Sequence, residues 1–97
     1  MNNEVAKTIA SQIGNRAFMM IGAKNLVGGD NYLRFRIGRN AKSVNIVTVT
    51  LTPADTYDVE YGSLRGTSYK VKASEAGIYA DMLHASIERN TGMYTSL

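Results

Sequence analysis

The amino-acid sequence predicts an α+β fold: an antiparallel sheet of four to five strands packed against an N-terminal and a C-terminal helix, in the order αβββββα. Three observations predict it. Apolar residues recur every three to four positions at both ends of the chain, they alternate with a period of two through the middle, and turn-forming residues punctuate the middle at hairpin spacing. Helices with one apolar stripe and strands with one apolar face can bury each other in two layers.

The first segment reads as a helix. Asn2 or Asn3 can cap it, Val5, Ile9 and Ile13 form a stripe with Ala6 and Ala10 beside them, and Gly14 supplies a left-handed position that ends it. Residues 17–22 then read as a short apolar strand, and residues 23–31 as a loop with Gly28, Gly29, Asp30 and Asn31 as turn material. Residues 32–38 alternate: Leu33, Phe35 and Ile37 point one way, Tyr32, Arg34 and Arg36 the other. Residues 44–51 are rich in β-branched side chains, and residues 56–63 and 67–73 complete the strands.

Register follows from matching faces. Setting Leu51 opposite Tyr57 places Val49 against Val59, with Thr50 and Thr48 beside Asp58 and Glu60 on the outer face. In the next hairpin a three-residue loop, Leu64, Arg65 and Gly66, with Gly66 left-handed, sets Tyr61 against Tyr69, Val59 against Val71, Glu60 against Lys70 and Asp58 against Lys72. Both lysines then have acidic partners, and the arginines have none. Ser74 caps the last helix with Glu75 in its first turn. Ala76, Tyr79, Ala80, Leu83 and Ile87 are its apolar stripe, Met82 lies at the edge, and Gly92 is its end.

Ninety-seven residues make one domain, 44% hydrophobic and 20% charged, which is a composition that folds. The absence of cysteine excludes disulfides, thiolate metal sites and cysteine nucleophiles, and it fits a reducing compartment. No apolar run is long enough to span a membrane, and residues 1–10 lack the pattern of a signal peptide, so no membrane partner is expected. The net charge of +3 is unevenly spread: residues 16–42 carry six cations (Arg16, Lys24, Arg34, Arg36, Arg39 and Lys42) against the single acid Asp30. Such an asymmetry attracts acidic surfaces or polyanions.

Catalytic and metal chemistry find little support. His84, the one histidine, would stack on a helix with Asp81 and Glu88, but no second histidine or cysteine completes a metal set, and an exposed helix face explains the trio. Residues 38–43, GRNAKS, end in Lys-Ser as phosphate loops do. They lack the second glycine, and a strand follows rather than a helix. Ser63 is misplaced for a nucleophile elbow. Tyr57, Tyr61 and Tyr69 fall on the apolar face, leaving Tyr32 to share a face with Arg34 and Arg36, while Met19 and Met20 read as core filler. The candidate partner-binding residues are therefore Tyr32, Arg34, Arg36, Arg39 and Lys42, with no catalytic residue, metal or cofactor expected.

Five blocks of the chain, residues 9–25 (IASQIGNRAFMMIGAKN), 33–42 (LRFRIGRNAK), 55–62 (DTYDVEYG), the helix with Tyr79 and Asp81 at 78–84, and 91–97 (TGMYTSL), together resemble a family of small accessory proteins encoded in tailed-phage genomes and prophages. That family has no assigned activity. The resemblance implies a protein acting in the cytoplasm of a bacterial host, where small phage proteins bind and inhibit host machinery, CRISPR and other defence systems included. The leading functional reading is a non-enzymatic module that binds a host protein, such as a nucleic-acid-processing or defence complex. The alternative is a DNA- or RNA-binding module using a basic sheet face, and a catalytic domain resting on His84 ranks last. A free strand edge in so small a sheet also leaves a homodimer open.

Overall fold

In the computed structural model, which describes residues 3–95, the chain runs α1 (Glu4–Ile13), α2 (Asn15–Met20), β1 (Lys24–Gly28), β2 (Tyr32–Arg36), β3 (Ile46–Leu51), β4 (Tyr57–Arg65), β5 (Ser68–Ile78), a 3-10 turn (Ala80–Met82) and α3 (Leu83–Thr91). The strands form one antiparallel meander in chain order. Ala6, Ile9 and Ile13 of α1 and Leu83 and Ile87 of α3 share a core with Leu33, Phe35, Val47, Val49, Tyr57, Val59 and Tyr61, so both helices fill the apolar face of the sheet. This is the α+β architecture that the sequence predicts. Among the described residues no helix is long and apolar enough to cross a membrane.

The β3–β4 hairpin has the expected register, with Leu51 opposite Tyr57, Val49 opposite Val59, Thr48 opposite Glu60 and Thr50 opposite Asp58. Asn3 sits at the N-cap of α1 without a side-chain cap bond, and the other expected cap, Asn2, lies outside the described residues. Gly14 ends α1 at φ +88° and ψ 151°, an extended, positive-φ geometry rather than the left-handed one, and α2 starts directly after it.

Four expectations are corrected. Residues 17–22 are mostly helical: Ala17 and Ile21, four apart, are buried, whereas Met19 between them is 81% exposed, so Met19 is not core filler. A short apolar run does not distinguish strand from helix by periodicity. Second, residues 24–28 are a strand rather than loop; a register break between Lys24 and Val27, with Asn25 at φ +57°, erases the alternation that would have announced it.

Third, the β4–β5 loop is Gly66 and Thr67 only, with Arg65 opposite Ser68, Leu64 opposite Tyr69, Ser63 opposite Lys70 and Gly62 opposite Val71. Gly66 is positive-φ, as expected. The tighter loop would put the wrong residues on the core face along the whole hairpin. A register shift beyond Gly62 and Val71 corrects this, so that Tyr61 meets Ala73, Glu60 meets Ser74 and Val59 meets Glu75. Tyr69 accordingly lies on the outer face, and neither Lys70 nor Lys72 pairs with an acid across the ladder.

Fourth, Ser74 and Glu75 do not start the last helix, because ladder pairing carries β5 on to Ile78 opposite Tyr57. Gly77, at φ +68°, precedes the end of the strand, and the helical region begins at Ala80. Tyr79 is therefore 59% exposed and not part of the apolar stripe, while Leu83 and Ile87 are fully buried and Gly92 ends α3 in the left-handed conformation.

Helix α1 sits hard against the sheet edge at Gly28. A Cβ at that position would stand 2.6 Å from the Ala6 Cβ, closer than real side chains approach. Gly28→Val is expected to force α1 and β1 apart and to cost about 1–3 kcal/mol, read as a lower urea midpoint with an unchanged m value.

Candidate functional site

The face of the sheet opposite the helices carries no covering element among the described residues, and alternation along β2 decides what it shows. Leu33 and Phe35 turn to the core, which leaves Tyr32, Arg34 and Arg36 on the bare side. Arg34 stands between Val27 of β1 and Thr48 of β3, and Arg36 between Lys24 and Ile46. The Arg34 Nε donates to Thr48 Oγ1 at 3.2 Å, and its guanidinium carbon lies 5.9 Å from the centre of the Tyr32 ring. The predicted trio is thus one contiguous surface, with Lys24 adding a third cation.

The next rank of this face is acidic and then apolar. Asp58 and Glu60 follow the threonines across β3. Tyr69 lies over Gly62, where any Cβ would collide with its ring, and its hydroxyl donates to Glu60 Oε2 at 2.7 Å. Burial, helped by that bond to a carboxylate, pushes the Tyr69 phenol up to about 12, so it remains a donor at any ordinary pH. Arg34, Ile46, Leu64 and Tyr69 together line a shallow, mainly apolar depression, with Val71 exposed on the neighbouring strand.

Arg39 and Lys42 do not belong to this surface. They lie on the segment from residue 37 to residue 45, at the end of the sheet. Arg39 lines a depression with Arg65, and Lys42 lines the adjoining one with Lys72 and Arg89, Val44 contributing to both. Sequence reasoning had joined Arg39 and Lys42 to the arginines of β2 and had missed Arg65, Lys72 and Arg89 as their neighbours. The available signal was the absence of acids: residues 31–54 and 61–74 contain no Asp or Glu. The meander brings the middle of the first stretch and the hairpin of the second to the same end.

Glu75, expected in a helix, instead joins the sheet to α3. Arg89 donates to both of its oxygens, Nη2 to Oε1 at 2.7 Å and Nε to Oε2 at 2.9 Å, and Asn90 Nδ2 adds a bond at 2.9 Å. These donors, Arg89 foremost, hold the carboxyl down at about 2 from the ordinary 4.5. A depressed folded-state pKa stabilises the fold above the unfolded value and is lost as pH falls through the folded value. Glu75→Gln is expected to lower the melting temperature at neutral pH, and its deficit against wild type should shrink as pH drops from 4.5 towards 2. Thermal unfolding across that pH range measures both.

His84 bridges two helices. Its Nε2 lies 2.6 Å from the Ile13 carbonyl oxygen, tying α3 to the end of α1. Glu88 instead accepts bonds from the backbone N–H and hydroxyl of Thr95, which hold its carboxyl below the usual range. Among the described residues no group of three histidine or acidic side chains is placed to hold a metal ion. Tyr61, in the core, shares a 2.7 Å bond with Ser86 Oγ, and burial raises it to about 12. In comparisons with known proteins, no family model, no curated protein and no solved structure matches this chain.

Proposed function

We propose that this protein is a non-enzymatic, phage-encoded binding module whose bare sheet face occupies the surface of a host protein. One observation carries the reading: Arg34 and Arg36 project side by side from an uncovered face, bordered by an apolar depression that Ile46, Leu64 and Tyr69 line. Arginine, tyrosine and aliphatic side chains in one patch are what protein interfaces concentrate, and arginine forks onto carboxylates in a way lysine does not. The fitting partner presents acidic side chains to β1 and β2 and an apolar one to the depression. The resemblance to phage accessory proteins supports a target in the bacterial cytoplasm, with a nucleic-acid-processing or defence complex such as CRISPR as the leading class. The test is affinity capture from host lysate, with and without nuclease, by wild type and by an Arg34→Glu, Arg36→Glu double variant. A protein retained after nuclease treatment and lost in the double variant supports the reading. Equal capture by both proteins refutes it.

A further inference from the structure

We propose that the end of the sheet, away from the bare face, is a second binding surface that takes the phosphodiester backbone of a nucleic-acid duplex without regard to sequence. Residues from three separated segments converge there: Arg39 and Lys42 before β3, Arg65 and Lys72 on the β4–β5 hairpin, and Arg89 on α3. They line two depressions that adjoin at Val44. The side chains of Arg39, Lys42, Arg65 and Lys72 have no hydrogen-bond or ion-pair partner among the described residues. The acids near them are already engaged, Glu75 by Arg89 and Asn90, and Glu88 by Thr95.

The surface is held in shape before any ligand arrives. Asn40 donates from Nδ2 to the carbonyls of Gly38 at 2.9 Å and Val44 at 2.6 Å, and its Oδ1 accepts from the N–H groups of Lys42 and Val44 at 3.1 Å each. Asn45 fastens this segment to β4, donating to the Leu64 carbonyl at 2.9 Å and accepting from its N–H at 2.7 Å. The spacing between Arg39, Lys42 and the hairpin cations is thereby set in advance, which lowers the ordering cost of binding.

Charge and composition select the ligand. Asp30, Asp55 and Asp81 lie in the turns at the opposite end of the meander, so the molecule is electrically polar and steers a polyanion to the basic end. No aromatic side chain lines either depression, so neither offers a stacking platform for unpaired bases, and the lining carries five cations and no acid. The amide nitrogens of Asn40 and Asn90, which could otherwise read base edges, each donate to two acceptors within the protein, and that of Asn45 donates to the Leu64 carbonyl. What remains is cation against phosphate.

The test is fluorescence anisotropy of the whole protein with short DNA duplexes of unrelated sequence, over a salt series. With about four phosphates neutralised, log K is expected to fall with log salt at a slope of about −3.6, alike for every duplex. Arg65→Glu with Lys72→Glu should weaken binding at least about tenfold and flatten the slope, with circular dichroism confirming the fold. Should that variant fail to fold, Arg39→Gln with Lys42→Gln carries the same expectation. The Arg34→Glu, Arg36→Glu variant should keep the wild-type slope, which separates this surface from the protein-binding face. Absence of duplex binding at low salt, a flat salt dependence, or unchanged binding in the end variants overturns the proposal. Binding confined to single strands overturns the duplex assignment. Loss of a captured acidic protein in the end variants, without duplex binding in wild type, assigns the surface to protein instead.

Discussion

Val59→Asp is expected to unfold the domain. Val59 is 1% exposed, paired with Val49 on one side and Glu75 on the other, on an interior strand and within the core that both helices share. An aspartate there would have to bury a charge or take up a proton, and it would face the carboxylate that Arg89 and Asn90 already satisfy. A buried unpaired charge costs more than about 4 kcal/mol, a large share of the roughly 5–15 kcal/mol that holds a domain together. Val59→Thr, nearly the same shape, should cost about 1–3 kcal/mol and still fold. Far-ultraviolet circular dichroism and amide dispersion distinguish the two outcomes. A folded Val59→Asp with an unchanged melting temperature would contradict the register of β3, β4 and β5.

The parts of the fold that were legible in sequence are those where burial on one face writes a period. Leu33 and Phe35 against Arg34 and Arg36, or Val47 and Val49 against Thr48 and Thr50, alternate because one face meets α1 and α3 and the other does not. Strand β1 wrote no such period: Leu26 and Val27 are 46% and 53% exposed, and the register break separates Lys24 from Val27. Strand β5 was misjudged for a related reason. Its residues are mostly exposed, so Ser74 and Glu75 looked like a helix start when their constraint was pairing with Glu60 and Val59. A register shift that switches faces halfway along a hairpin leaves no local mark, and the hairpin pairs were accordingly misassigned.

The same logic separates the two halves of the candidate site. Tyr32, Arg34 and Arg36 were placed together correctly because a period of two fixes which side chains share a face. Arg39 and Lys42 lie beyond the strand, where Asn40 turns the chain, and periodicity says nothing about where a turn points. Their companions Arg65, Lys72 and Arg89 come from distant parts of the sequence and are joined only by the meander and by the contact of α3 with β5.

Replacing both Arg34 and Arg36 by glutamate is expected to weaken capture of the protein partner by at least about a hundredfold while leaving the fold intact. Arg34 is exposed and its one protein bond is to Thr48 Oγ1, while Arg36 is half-buried beside Lys24 and Ile46, so neither supports the core. The loss at the interface arises twice over. Each substitution removes a fork that can hold a carboxylate by two parallel bonds, and each adds a like charge facing the acids that the arginine attracted. Since Asp58 and Glu60 already stand two strands away on the same face, reversal also sets four acids against Lys24 on what was a divided surface. Arg34→Lys with Arg36→Lys keeps the charge and loses the fork, so partial retention in that variant would identify geometry as well as charge as the basis of recognition. Arg65→Glu with Lys72→Glu changes the net charge equally but acts at the other end surface, and it should leave this protein capture unchanged. Equal loss in the two charge-reversed variants would mean that net charge, rather than the paired arginines of β2, governs binding.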